Sequence, residues 1–254
     1  MDTTEKDNTF SEIKTELLRR VREAYGCVYQ YRRAYVSKTL AELMQVVKDN
    51  FRWACGNKVI TSDIIEKYRE EFASCDIHLN VDVKGESFLL CTGNANVSAY
   101  GNATVVARDN ATVSVYDNVM AEAYDNALVR ASHVATILAH DNSTTLACNN
   151  VKVKAFSNAT VKAYGTAVVE AHDTSKVLAC SATLITADGN ASVKAYNHAT
   201  VEVRDDATVE ASDNVYCFSL FTAKCKLYDH AIYRNRQENT IYYDDDSMTF
   251  KKQE

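Results

Sequence analysis

Residues with catalytic chemistry recur at a fixed spacing of 16 in this chain. Glu170 and His172 are followed by Thr186 and Asp188, then by Glu202 and Arg204. If the backbone stacks residues 16 apart, these side chains face one surface. Carboxylates about 5–10 Å apart can act as acid and base, or as nucleophile, at a glycosidic bond. The competing reading is alternating surface charge that keeps one face of a sheet soluble, since exposed ion pairs carry little energy. That reading is favoured here, so no catalytic residue is assigned.

Other groups with chemical potential are weighed in the same way. Tyr100, Tyr116, Tyr164, Tyr196 and Tyr228 share one position of a repeat. They are candidates for stacking on a sugar or anchoring a protein, or for packing at a corner. Residues 10 to 38 hold seven basic and three acidic side chains. Arg19, Arg20, Arg22, Arg32 and Arg33, with Tyr29 and Tyr31, are the candidate surface for an acidic protein partner or nucleic acid. DNA reading has weak support, because the would-be recognition helix SDIIEKYREEF carries four acids that phosphates repel. Outward threonines such as Thr104, Thr112 and Thr144 are interrupted by charged and apolar residues, which argues against an ice-binding array. Six Asn-X-Ser/Thr sites arise from the repeat itself.

No metal site and no cofactor are expected. The six histidines are scattered, and the eight cysteines contain no Cys-X-X-Cys pair. Free thiols are expected, with Cys217 and Cys225 pointing into a core. The start, MDTTEKDNTF, lacks the basic and apolar runs of a secretory signal, and no apolar run is long enough to span a bilayer. A cytoplasmic protein is therefore expected. The net charge of −6 over 254 residues gives no general attraction to nucleic acid.

The elements that position these residues follow from an octapeptide repeat. From Gly93 to Arg236 the chain reads Gly/Asp, Asn, Ala, Thr, Val, variable, Ala, Tyr/Arg/His without insertion, for 18 octads. IHLNVDVK and GESFLLCT are weaker octads before it. Ala, Val and Ala at positions three, five and seven alternate with polar residues, the period of a half-buried strand. Asp-Asn or Gly-Asn then interrupts each strand at a tight turn. A lone short strand buries nothing, so octads must stack. Alternate octads belong together: Asn94, Asn110, Asn126, Asn142 and Asn158 form a nearly pure series, whereas Asn102, Asn118 and Val134 begin a mixed one. Two octads per coil, about nine coils and a rod on the order of 43 Å long are predicted. Alanine beside valine leaves room only for a thin core between two close sheets. Asparagine ladders along the axis are expected to add hydrogen bonds. The absence of proline suits a backbone in which every N–H is used.

Three parts are predicted: a helical head over 1–76, a β-solenoid over 77–236, and a C-terminal cap over 237–254. Thr9 with Glu12, and Thr39 with Glu42, read as capping boxes that open helices; a third helix starts after Thr61. The segment CVYQYRRAYVSK between the first two is left unassigned. NTIYYDDDSMTFKK breaks the octad register and is expected to close the far end.

DNATVSVYDN, SNATVKAY and GNASVKAY resemble the octapeptide-repeat proteins of gut bacteria and bacteriophages, typified by runs such as DNATVEAY. The resemblance covers about two thirds of the chain. It implies a parallel β-solenoid and no settled activity, and it brings over no site residue. The expectation is a non-enzymatic binding or scaffold protein that engages a protein partner. The resemblance admits a bacteriophage or mobile-element origin and, with it, an inhibitor of a host defence complex. The alternatives are a polysaccharide-binding or polysaccharide-cleaving β-helix protein and a self-assembling homo-oligomer.

Overall fold

The computed structural model describes residues 3–243 apart from 222, with side chains from residue 8 onward. Six helices come first: α1 (Thr3–Glu23), α2 (Val28–Val36), α3 (Leu40–Asp49), α4 (Phe51–Gly56), α5 (Ser62–Lys67) and α6 (Arg69–Ala73). A short strand, β1 (Ile77–Leu79), opens the solenoid. From β2 (Phe88–Cys91) to β20 (Ile232–Asn235), a four-residue strand then begins every eight residues.

From β2 to β20, even-numbered strands form one sheet and odd-numbered strands the other, and β1 and β21 extend the even sheet at its two ends. The even sheet runs β1-β2-β4 and onward to β20 and β21 (Thr240–Tyr243); the odd sheet runs from β3 (Asn96–Ala99) to β19 (Lys224–Leu227). Pairing within each sheet is parallel at an offset of 16 residues, as in Val153↔Val169 and Val161↔Val177. The coil therefore holds two octads, as the sequence pattern predicts. Positions three, five and seven are buried between the sheets: Ala103, Val105 and Ala107 have no exposed surface.

The turns explain why Asp leads the octad. Position one takes the left-handed conformation, at φ +58° in Asp109, +58° in Asp117 and +56° in Asp125. Its N–H then points along the rod, and the Asp one coil later accepts it. Gly93 N–H donates to Asp109 at 2.9 Å, Asp109 to Asp125 at 3.2 Å, and Asp125 to Asp141 at 3.1 Å. The expected asparagine ladder at position two is sparser, with Asn118 donating to Asn102 at 3.3 Å and Asn126 to Asn110 at 3.5 Å. Aspartate, whose carboxylate reaches a backbone donor, makes more of the side-chain bonds between coils than asparagine does.

The head departs from its predicted outline in three places. α1 begins at Thr3, so Thr9 and Glu12 lie inside the helix and open nothing. The unassigned tyrosine-rich link is a helix, α2. The third expected helix breaks at Tyr68 into α5 and α6. Thr39 caps α3 as expected, its Oγ1 accepting the Glu42 N–H at 3.2 Å, while the returning arm of the box reaches one residue further back, Glu42 accepting the Lys38 N–H at 2.6 Å.

Head and rod share one apolar cluster. Leu90 and Val106 point outward from the even sheet, yet both are buried under the helices beside Phe51, Phe72 and Ile77. Phe51 meets Phe88 edge-on at 5.3 Å. α5 and α6 contact β1, and Val83 bridges to Ala99 on β3, so both sheets are covered at this end. At the other end β21 turns back antiparallel on β20. The rest of the expected cap, residues 244–254, lies outside the described residues.

Candidate functional site

Two surfaces concentrate groups able to bind: the outer face of α2 and the corner where even strands turn toward odd ones. α2 rests on α1 and α3 through Ala34, the one residue it buries. Its opposite side carries Val28, Tyr29, Arg32, Tyr35 and Val36, the spacing of a single helix face. Val28 is 82% exposed, Tyr29 68%, Tyr35 62% and Val36 59%, with Tyr25 almost wholly exposed just before the helix. Exposed apolar residues are ordinary when scattered; a contiguous set of this size is not. Beside it lies a groove of about 320 Å³ among α1, α2, α3 and α4, walled by Leu17, Val21, Val46, Trp53 and Val59, with Cys27 at its rim. Cys27 is the N-cap of α2, and the N–H groups of Gln30 and Tyr29 hold its thiol below the ordinary range.

The arginines of the sequence reading mostly serve the head itself. Arg19 bridges Glu16 and Glu23 at 2.7 and 2.6 Å. Arg20, half-buried, binds Glu16 at 2.7 Å and Asp63 at 2.6 Å, tying α1 to α5. Bonds from Arg19 and Arg20 hold the Glu16 carboxyl down at about 2. Arg33 pairs with Asp49 at 2.8 Å. Arg22 donates to the Tyr31 hydroxyl at 2.7 Å and lies over its ring, which stacks near Tyr35. Arg32 has no hydrogen-bond or ion-pair partner among the described residues, and it stands at the centre of the exposed α2 face beside Tyr29.

On the rod, only Tyr100 and Tyr116 of the tyrosine line meet, stacked at 4.9 Å and 9°. Cys180 separates Tyr164 from Tyr196, and Ser212 separates Tyr196 from Tyr228, so these three stand two coils apart.

The longer column lies on the other corner; its His172 and Asp188 were weighed above as catalytic groups, and its stacking was not anticipated. Arg108 sits over Tyr124 at 5.4 Å; Tyr124 stacks on His140 at 4.8 Å, His140 on Phe156 at 5.1 Å, and Phe156 on His172 at 5.0 Å. All three ring pairs are within 15° of parallel. His172 Nδ1 closes the series against Asp188 at 2.9 Å. A search for one residue type misses this column, because it alternates Tyr, His and Phe; a search for any ring at 16-residue spacing finds it.

The head is fastened to the start of that column. Arg108 donates to the carbonyls of Cys55 at 2.9 Å and Gly56 at 3.3 Å. Arg52 binds the buried carboxylate of Glu122 at 2.9 Å, and the Tyr124 hydroxyl donates to the same carboxylate at 2.8 Å. Burial and that carboxylate together push the Tyr124 phenol well above its usual range.

The acids with catalytic potential are engaged with cations. Glu170 binds Lys154 at 2.8 Å and lies 3.8 Å from His172; Glu202 binds Arg204 at 2.8 Å. Glu170 and Glu202 are two coils apart, with Thr186 paired between them. Cys217 and Cys225 are free, Cys217 in the core, and the hydrogen bond with the Cys225 thiol, together with burial, raises the Cys217 thiol strongly. Among the described residues no three His, Cys, Asp or Glu side chains converge as a metal site, and no helix is long and apolar enough to cross a membrane.

Comparison with models of protein families, with curated proteins and with solved structures finds no match to this chain.

Proposed function

We propose that the protein is a non-enzymatic binding scaffold in which a rigid solenoid carries a helical head, and that the head engages a protein partner. One observation carries this reading: the unpaired apolar face of α2, with Tyr29, Arg32 and Tyr35 beside an open groove. Tyrosine and arginine at the centre of an apolar patch are the residue types that dominate binding energy at protein interfaces. The ion-paired arginines around it keep α1 and α5 in place, so the face is presented in a preformed geometry. An inhibitor of a host defence complex, a role that a bacteriophage origin would admit, is one form such binding takes.

The test replaces Val28, Tyr29 and Val36 by serine. All three are exposed, so the variant should melt near the unaltered chain. Tagged wild type and variant are compared for capture of partners from bacterial lysate and for sedimentation at several concentrations. The expected result is a partner recovered by wild type and depleted on the order of tenfold or more by the triple change. Equal recovery by both proteins overturns the reading. A wild-type dimer that becomes a monomer in the variant replaces it with self-association.

A further inference from the structure

The two sheets of the rod differ in charge, and the difference is ordered. On the odd sheet, outward strand positions hold six cations, Arg130, Lys162, Lys176, Lys194, Lys224 and Lys226, against the single acid Glu210. On the even sheet, Lys152, Lys154 and Arg234 balance Glu122, Glu170 and Glu202. A protein with net charge −6 thus carries one strongly positive face.

The cations are placed by the register. Along one column of direct strand partners, Arg130 is followed by Leu146, Lys162, Leu178 and Lys194. Glu210 and Lys226 continue it. Charge therefore recurs at every second coil, about 9.6 Å apart for a strand spacing of about 4.8 Å, with a half-buried leucine between. Arg130, Lys162 and Lys176 form no ion pair among the described residues, whereas Glu210 binds Lys194 at 2.8 Å and lies 3.9 Å from Lys226. Beside this column runs a row of hydroxyls, Thr144, Thr160, Ser192 and Thr208, broken by Lys176.

We infer that the odd sheet is a docking track for a linear acidic polysaccharide in which a uronate alternates with a neutral sugar. An extended chain of pyranoses advances by nearly one strand spacing per sugar. Each carboxylate then meets a cation, each neutral ring lays its C–H face over a leucine, and the hydroxyl row takes up polar edges. Single-stranded nucleic acid fits less well. Its binding surfaces stack successive bases on aromatic platforms, whereas the outward strand positions of the odd sheet hold no ring and the bordering Tyr164, Tyr196 and Tyr228 stand two coils apart. This inference is independent of the α2 face, which lies on the head.

Immobilised full-length protein is titrated with a hyaluronan dodecasaccharide, which has this alternation, with a neutral chitin hexasaccharide and with a dT20 oligonucleotide. Hyaluronan should bind, and its affinity should fall by on the order of tenfold or more from 50 to 200 mM salt, as release of counterions from a polyanion requires. The triple change Arg130→Glu, Lys162→Glu, Lys194→Glu should weaken it by about 100-fold or more. The even-sheet pair Lys152→Glu, Lys154→Glu should leave it within about threefold, and Glu210→Gln, which frees Lys194, should tighten it. Retained melting temperatures verify that the exposed changes keep the fold. Absence of hyaluronan binding overturns the inference, as does tighter binding of dT20 or of the neutral sugar, or an equal loss from the even-sheet pair.

Discussion

The head and the rod bury their surfaces by opposite means. In the head a few large side chains, among them Phe51, Phe72, Met44, Ile64 and Ile65, are wholly enclosed, and each occupies a site of its own. In the rod the core is mostly alanine and valine in file, varied by a few larger residues such as Leu89, Ile137, Ile185 and Tyr233, and successive coils repeat nearly the same packing. Stability in the rod is thus close to a sum over equal coils, whereas in the head it rests on particular contacts. The same division governs binding. The rod presents columns, in which one chemical group recurs along an axis. The head presents a patch, in which Tyr25, Val28, Tyr29, Tyr35 and Val36 occur once.

The sharpest way to break this comparison is a matched pair of truncations. Phe72→Ala, in the head, is expected to cost about 3–5 kcal/mol, because the enclosing helices cannot collapse around a ring-sized void. Val161→Ala, at an equally buried site in the middle of the rod, should cost only about 2 kcal/mol for two methyl groups. Urea unfolding measures both; equal losses would remove the distinction. The junction comes next. Glu122→Ala strands Arg52 and the Tyr124 hydroxyl where head meets rod, at an expected cost of about 2 kcal/mol. Glu202→Ala, whose partner Arg204 is exposed on the open rod, should cost about 0.5 kcal/mol or less. One effect has the opposite sign. Thr145 is fully buried, its hydroxyl has no partner among the described residues, and its strand partners are Val129 and Val161. Thr145→Val should therefore stabilise the rod by about 1 kcal/mol, read as a raised urea midpoint.

Legibility followed the same line. Periodicity exposes the rod, because a strand that recurs every eight residues with Ala-Val-Ala inside has one way to bury itself. It also groups Glu170, Asp188 and Glu202 on one face. It did not indicate that Lys154, His172 and Arg204 occupy those acids, since rotamers decide ion pairs. The head has no period to read. Its capping signals located α3, where Thr39 does cap, and misplaced the start of α1, where Thr9 lies mid-helix. The exposure of α2 was legible only in part: Tyr29 and Arg32 were expected on a partner surface, but Val28, Tyr35 and Val36 have the composition of a buried face, and the packing of Ala34 against α1 and α3 turns them outward. The basic face of the odd sheet was present in the residues, but it emerges only when each octad is assigned to its sheet and the charges are counted separately.

What the sequence by itself determined is the coil: two octads per turn, alanine and valine inward, and a left-handed residue at nearly every corner. These follow from local sterics and from a period that every repeat restates. The tertiary structure alone decided where Leu90 and Val106 are covered, which rings stack into the Tyr124–His172 column, and which side of α2 is left bare. Those outcomes depend on contacts between residues far apart in the chain, and no local pattern encodes them.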